Sequence, residues 1–127
     1  MRNLDEDWNE IWVLDNRAQQ GQPLGVTSED LCDLLRRTSP TVAISAAEAE
    51  SSLASTELTT ALVQKVAARI REGSHRLSRA LDRMYTRESK GDLDGARQSL
   101  RELLAVEVVP HYRSIAEGQL ERLDDLS

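Results

Sequence analysis

A chain of 127 residues is long enough for one domain with a modest hydrophobic core, so we expect a single domain over residues 1–127. Phenylalanine is absent and aromatic residues make up only 3% of the chain, so the core must be mainly aliphatic, which favours packed helices over a β-sandwich or barrel. The net charge of −6 argues against non-specific binding to nucleic acid.

Cysteine usage and hydropathy indicate the compartment. Cys32 is the single cysteine, so no internal disulfide can form, and a reducing compartment fits this composition. No segment approaches the roughly 20 apolar residues that a membrane span needs, and the N-terminal residues lack the apolar core of a signal peptide. We therefore expect a cytoplasmic protein that does not associate with a membrane.

The first predicted helix runs from about Leu4 to Gln19. Trp8, Ile11 and Trp12 lie three or four residues apart, a spacing that places both tryptophans on one face. Either the two tryptophans belong to the core, or they are exposed anchors for a partner protein. We favour the core, because a core without phenylalanine has few other large side chains to use.

Glycines and a proline predict a loop over residues 20–25. Thr27 is then placed to cap a helix that runs to about Arg37, and Ser39-Pro40 should end this helix. Residues 41–56 are poor in large apolar side chains. Ser45 and Glu48 have the spacing of a capping box, which predicts a short helix to about Leu53.

Because it has little to bury, the segment 41–56 is expected to be the least stable part of the fold, a connection that is mobile. It is also a candidate partner surface.

The longest helical pattern covers about residues 57–90. Its apolar residues keep steps of three and four, which marks one buried stripe on a helix. That stripe consists of Val63, Val66, Ile70, Gly73, Leu77, Ala80 and Met84. Ser55 or Thr56 can cap the start of the helix, and Gly91 can end it in the left-handed conformation.

A second helical pattern covers about residues 93–126 and begins after Asp92, a good N-cap residue. Pro110 interrupts the pattern, but the spacing from Leu104 through Val108 and Tyr112 keeps its helical phase. We favour one continuous helix with a kink at Pro110 over two separate helices. The two long patterns then form an antiparallel helical hairpin, on which the short N-terminal helices pack.

Folding this hairpin about Gly91 places Gly73 beside Pro110, so we expect both arms to bend there. The same register brings four pairs of opposite charge to matching levels, although exposed pairs contribute only about 0–1 kcal/mol each. These pairs are Lys65 with Glu117, Arg76 with Glu107, Arg79 with Glu102, and Asp82 with Arg101.

The strongest candidates for metal or acid–base chemistry are His75, Glu107 and His111. Glu107 and His111 are four residues apart and share a helical face, but His75 lies opposite the seam and faces solvent, so the three make no ligand set. No phosphate-binding loop or nucleophile motif occurs. We expect no cofactor, no metal and no enzymatic activity.

A line of basic residues recurs every seventh position along the first long helix. It consists of Arg69, Arg76, Arg83 and Lys90. Either these side chains cover the edge of the core with their aliphatic stems, or they bind an acidic partner or a phosphate backbone. Interleaved aromatics and a basic overall charge, which are typical of nucleic-acid binding, are both missing.

Five stretches of the chain together have a familiar pattern: Trp8 to Leu14, Val42 to Ser45, Ile70 to Ser74, Gly91 to Arg97 and Val109 to Arg113. They resemble the DUSAM domain, which occurs in many paralogous myxobacterial proteins, and the resemblance would cover nearly the whole chain. It implies a bacterial family of undetermined function with no recognised catalytic residues. Gly91 to Ala96 is also similar to part of a tetratricopeptide repeat, but a single partial copy does not make a repeat array.

We therefore predict an all-α helical bundle that acts as a non-catalytic protein-interaction or regulatory module. Its partner surface would include Trp8 and Trp12, the basic line, or the bend at Gly73 and Pro110. The alternative is a nucleic-acid-associated regulator that uses the basic line. Self-association stays open, because an apolar stripe left uncovered would drive it.

Overall fold

The computed structural model describes residues 3–24 and 28–126, and every regular element in that part of the chain is an α-helix. The helices are α1 (Leu4–Gln19), α2 (Ser28–Thr41), α3 (Ala46–Ser52), α4 (Thr56–Ser89), α5 (Leu93–Val106) and α6 (Pro110–Leu126). The predicted all-α class is confirmed, as are the bounds of α1, α3 and α4 to within a residue or two.

The chain forms two compact units, Met1–Ile70 and Arg71–Ser127. The first unit holds α1, α2, α3 and the beginning of α4, and the second holds the rest of α4 with α5 and α6. The boundary falls inside α4, which is continuous through Gly73. The expectation of a single domain stays a prediction.

The first unit is built around aliphatic side chains from all of its helices. Its fully buried residues include Ile11, Leu14, Leu34, Leu35, Val42, Val63 and Val66. Polar contacts fix how its elements meet: Arg37 is paired with the carboxylate of Asp7 at 3.2 Å, and Lys65 lies 2.7 Å from Glu48. The α3 cap is the predicted one, since the Ser45 hydroxyl accepts the N–H of Glu48 at 3.1 Å.

The tryptophans do not form the core that the sequence predicted. Trp8 is half-buried and donates its indole N–H to the Thr41 hydroxyl at 3.0 Å, while Trp12 is 46% exposed. The buried stripe of α1 contains Ile11 and Leu14 instead. Trp12 follows Ile11 by one residue, and one residue turns a helix by about 100°, which carries Trp12 off the buried stripe.

The end of α2 also differs from its prediction. The helix continues through Ser39 and Pro40 to Thr41, because a proline in the last turn removes only one helical hydrogen bond. Ala43 then ends it with φ at +63°. The N–H of Ile44 donates to the Ser39 carbonyl at 2.9 Å, which completes the turn. The predicted cap at Thr27 lies outside the described residues.

Segment 41–56 buries more than its composition indicated. Val42, Ile44 and Ala49 are all buried, and the guanidinium of Arg69 donates to the carbonyls of Val42 and Ala43, each at 2.9 Å. The predicted mobility of the segment stays a prediction.

In the second unit, α6 packs against α5 in the opposite direction. Arg97 near the start of α5 donates to Asp124 near the end of α6 at 2.9 Å. Arg122 binds Glu88 of α4 through both carboxylate oxygens, at 2.7 and 2.8 Å. These hydrogen bonds lower the pKa of Glu88 below its usual range.

The prediction that the second arm is a single kinked helix is wrong. The helical pattern is broken between Val106 and Pro110 into α5 and α6. A residue before proline is disfavoured in helical conformation, and proline is well suited to the first position of a helix. Val109 is buried and Val108 is exposed. The predicted apolar stripe passed through Val108, so it assigned the wrong valine to the core.

Candidate interaction groove between α4 and α5

A shallow groove of about 260 Å³ lies between α4 and α5 in the second unit. Three arginines from α4 line one side, spaced three and four residues apart so that they share a helical face. The lining residues are Arg76, Arg79, Arg83, Glu102, Leu103 and Val106. We call this feature the α4/α5 groove.

The α4/α5 groove carries a net positive charge, because its lining contains three arginines and one glutamate, and in the described chain only Arg76 of these is in an ion pair. Among the described residues, neither Arg79 nor Arg83 makes a hydrogen bond or an ion pair. Glu102 is the one acid in the lining, and its carboxylate accepts only a long 3.4 Å hydrogen bond from Gln98. The groove therefore contains two arginines that make no hydrogen bond within the described part of the chain.

The α5 side of the groove is apolar. Leu103 is buried, whereas Val106 is 61% exposed. An exposed valine in the same groove as the arginines leaves apolar surface that a partner can cover, at about 25 cal/mol per Å² removed from water. The groove thus combines an apolar strip with a cationic rim.

The basic surface continues along α4 beyond Arg83. A neighbouring concavity is lined by Asp82, Arg83, Thr86, Arg87 and Lys90. Arg87 is engaged within the unit, since it donates to the Gly95 carbonyl at 2.9 Å and to the Ser99 hydroxyl at 2.8 Å. Arg83 therefore belongs to both concavities and links them.

Arg76 connects the groove to the junction between α5 and α6. Its Nε donates to Glu107 Oε1 at 3.1 Å, and the Glu107 side chain is fully buried. Glu107 Oε2 accepts the backbone N–H groups of Val108 and Val109 at 3.1 and 3.0 Å. The carboxylate thereby satisfies two donors at the break that the helices leave unpaired.

Two other side chains complete this junction. Arg113 donates to the carbonyls of Leu104 and Glu107 at 2.7 and 2.8 Å, and so satisfies backbone acceptors at the end of α5. Tyr112 lies against Gly73, where a Cβ atom would be only 2.6 Å from its ring. Burial raises the pKa of the Tyr112 hydroxyl.

The structure separates the predicted site residues into two sets. Trp8, Trp12 and Arg69 belong to the first unit, where Arg69 is occupied by the carbonyls that follow α2. The other three members of the basic line, Arg76, Arg83 and Lys90, belong to the second unit. Arg76 and Arg83 line the α4/α5 groove, and Lys90 lines the neighbouring concavity.

The candidate metal residues have separate surroundings. His75 and His111 are exposed, while Glu107 is buried and bonded to Arg76. The ring of His111 contacts that of Tyr112, with 5.7 Å between centroids. Within residues 3–24 and 28–126, no group of three or more His, Cys, Asp or Glu side chains is arranged to hold a metal ion.

One of the four charge pairs predicted from the hairpin register is observed. Arg76 pairs with Glu107 as expected, and Gly73 lies against Glu107 and Tyr112, on either side of Pro110. Other predicted pairs do not form: Lys65 binds Glu48, and in the described chain Arg79 makes no ion pair with Glu102, nor Asp82 with Arg101.

Among the groove residues, Arg79 and Glu102 were predicted only as an ion pair, and neither Leu103 nor Val106 was predicted as a site residue. Arg79 lies three residues after Arg76 and four before Arg83, so a search for helical neighbours would have added it to the basic line. Val106 carried no such signal, because its exposure depends on where α5 ends.

The described helices include none that is long and apolar enough to cross a membrane. Comparison with curated proteins and with solved structures found no match. Comparison with protein families matches residues 6–123 to the family described as "Protein of unknown function (DUF2379)". Since this match spans most of the chain and both structural units, the protein belongs to the DUF2379 family.

Proposed function

We propose that the protein is a non-catalytic interaction module that binds an acidic, amphipathic helix of a partner protein in the α4/α5 groove. The observation that carries this proposal is the position of Arg79 and Arg83, which make no ion pair in the described chain, beside the exposed side chain of Val106. An apolar strip between two helices is the usual receptor for a third amphipathic helix.

The cationic rim supports an acidic occupant. Complementary charge at a rim speeds association and selects the partner more than it adds affinity. The apolar strip would supply the burial, and carboxylates on the flanks of the bound helix would meet Arg79 and Arg83. The neighbouring concavity extends the basic surface to Lys90, which suits a helix of several turns.

The rival function is nucleic-acid binding through the same basic surface. The seven-residue spacing of Arg76 and Arg83 in α4 and Lys90 just after it favours this function, because regularly spaced cations can follow a phosphate backbone. The net charge of −6 opposes it, as does the exposed Val106, which has no role against phosphates. We therefore favour a protein partner.

Fluorescence anisotropy with a synthetic peptide tests the proposal. The probe is a labelled 18-residue helix with leucines on one face and glutamates on its flanks. We expect binding that weakens about tenfold in Arg79→Glu, which corresponds to roughly 1.4 kcal/mol. Arg101→Glu is the matched control: it makes the same charge change on an exposed α5 residue outside the groove lining.

Three outcomes count against this function. The peptide fails to bind, or the Arg79 and Arg101 variants weaken it equally, or a lysine-flanked version of the peptide binds as well. Retention of a 20-base-pair duplex that falls steeply with salt would support the rival instead.

We also propose that this family is the bacterial DUSAM family, because the resembling stretches run from Trp8 to Arg113, inside the matched range. The single Cys32 supports our further proposal of a cytoplasmic location. Fractionation of cells that express the tagged protein tests the location, and recovery outside the cytoplasm would contradict it.

A further inference from the structure

We propose that Glu107 is a positioning residue that presents Arg76 to the α4/α5 groove, so that helix binding in the groove and closure of the α5–α6 junction stabilise each other. This inference rests on the proposed function of the groove. It adds a means by which the bound partner and the position of α6 influence one another.

The Arg76 guanidinium is held within the second unit by one of its nitrogens. Only its Nε is used within the described residues, where it donates to Glu107 Oε1 at 3.1 Å. An arginine carries five N–H donors, so the four on Nη1 and Nη2 are left for a ligand. Arg76 lines the groove, so its anchoring at Nε restricts the positions that those four donors can take.

The Glu107 side chain is itself held in place. Its Oε2 is held by the N–H groups of Val108 and Val109, and its side chain is fully buried. The two amides belong to the break between α5 and α6. Arg76 is therefore oriented correctly only while this junction keeps its present conformation.

Close packing at Gly73, about one helical turn before Arg76, brings the junction next to α4. The absence of a side chain lets Tyr112 and the Glu107 carboxylate approach the α4 backbone. Glu107 consequently reaches Arg76 from the junction between α5 and α6. A carboxylate from a bound helix would meet the same guanidinium on its free edge, so that one cation bridges two anions.

The consequence is thermodynamic coupling. A ligand carboxylate on Nη1 and Nη2 favours the conformation in which Nε faces Glu107, and this favours the closed junction. By linkage, a closed junction must raise the affinity for the ligand by the same factor.

Two variants that each remove one negative charge give a decisive test. Glu102→Gln removes the acid at the rim and should tighten binding of the glutamate-flanked peptide two- to threefold, as simple electrostatics requires. Glu107→Gln removes the buried acid. Simple electrostatics predicts tighter binding here as well, whereas a positioning role predicts that binding weakens about tenfold, within the usual range of coupling.

A second measurement uses the wild-type protein, so it does not depend on the folding of the Glu107 variant. Saturation with the peptide should slow hydrogen exchange of the Val108 and Val109 amides about fivefold or more. The exposed amides at the start of α3, in the first unit, serve as the reference. If hydrogen exchange of the Val108 and Val109 amides is unchanged when the peptide binds, the proposed coupling is refuted.

The outcomes separate the two proposals. If the wild type binds the peptide but Glu107→Gln binds it more tightly, the groove function stands and the positioning role fails. If the wild type does not bind the peptide, both fail. Weaker binding in Glu107→Gln together with slower exchange at Val108 and Val109 supports both.

Discussion

Gly73 offers the sharpest test of the packing in the second unit, through the substitution Gly73→Ala. Alanine stabilises a helix interior by about 1 kcal/mol relative to glycine, so an exposed site would gain stability. At Gly73, however, the new Cβ would lie 2.6 and 2.8 Å from ring carbons of Tyr112 and 2.9 Å from Glu107 Oε2. Distances this short force the neighbouring side chains to move.

The size of the effect follows from two opposing contributions. Adding a methyl group to a closely packed site costs about 2–3 kcal/mol, and the gain in helix propensity returns about 1 kcal/mol. We therefore expect Gly73→Ala to lower the free energy of unfolding by about 1–2 kcal/mol. At about 4 °C per kcal/mol, Tm should fall by several degrees.

Gly118→Ala is the matched control, because Gly118 also lies within a helix but has no atom near the position of a Cβ. It should raise the free energy of unfolding by about 0.5–1 kcal/mol. Urea and thermal unfolding followed by circular dichroism measure both variants. If Gly73→Ala were as stable as Gly118→Ala, close approach of α4 to the junction would be refuted.

Three more predictions concern single side chains. Ala43→Gly should stabilise the protein by about 0.5–1 kcal/mol in urea unfolding, because Ala43 has a positive φ that glycine adopts without strain. The control Ala47→Gly, inside α3, should destabilise the protein. Ser39→Ala should raise Tm by a few degrees, since the buried Ser39 hydroxyl has no hydrogen-bond partner in the described chain and such a group costs about 1 kcal/mol; a lower Tm would contradict this. The carboxyl of Glu88 should titrate below its usual pKa by NMR and return to the usual range in Arg122→Gln. Because the folded pKa is the lower one, the Arg122 pair contributes stability above about pH 4.3 and loses it as pH falls through the lowered pKa.

The sequence by itself determined the helices whose ends are encoded locally. Ser45 caps α3 and Asp92 caps α5 because a short polar side chain reaches an amide three residues ahead. Gly91 ends α4 because it adopts a positive φ at no cost. Each of these signals involves a few neighbouring residues, so it can be read without knowing the rest of the fold.

Only the tertiary structure decided which sides of the helices are covered and where the second arm breaks. Trp12 could belong to a core or to a surface, because its burial depends on which flank of α1 meets other helices. The choice between Val108 and Val109 depended on α6 folding back along α5. The buried carboxylate of Glu107 is paired with Arg76, which is distant in the sequence. Local sequence patterns do not specify contacts between such distant residues.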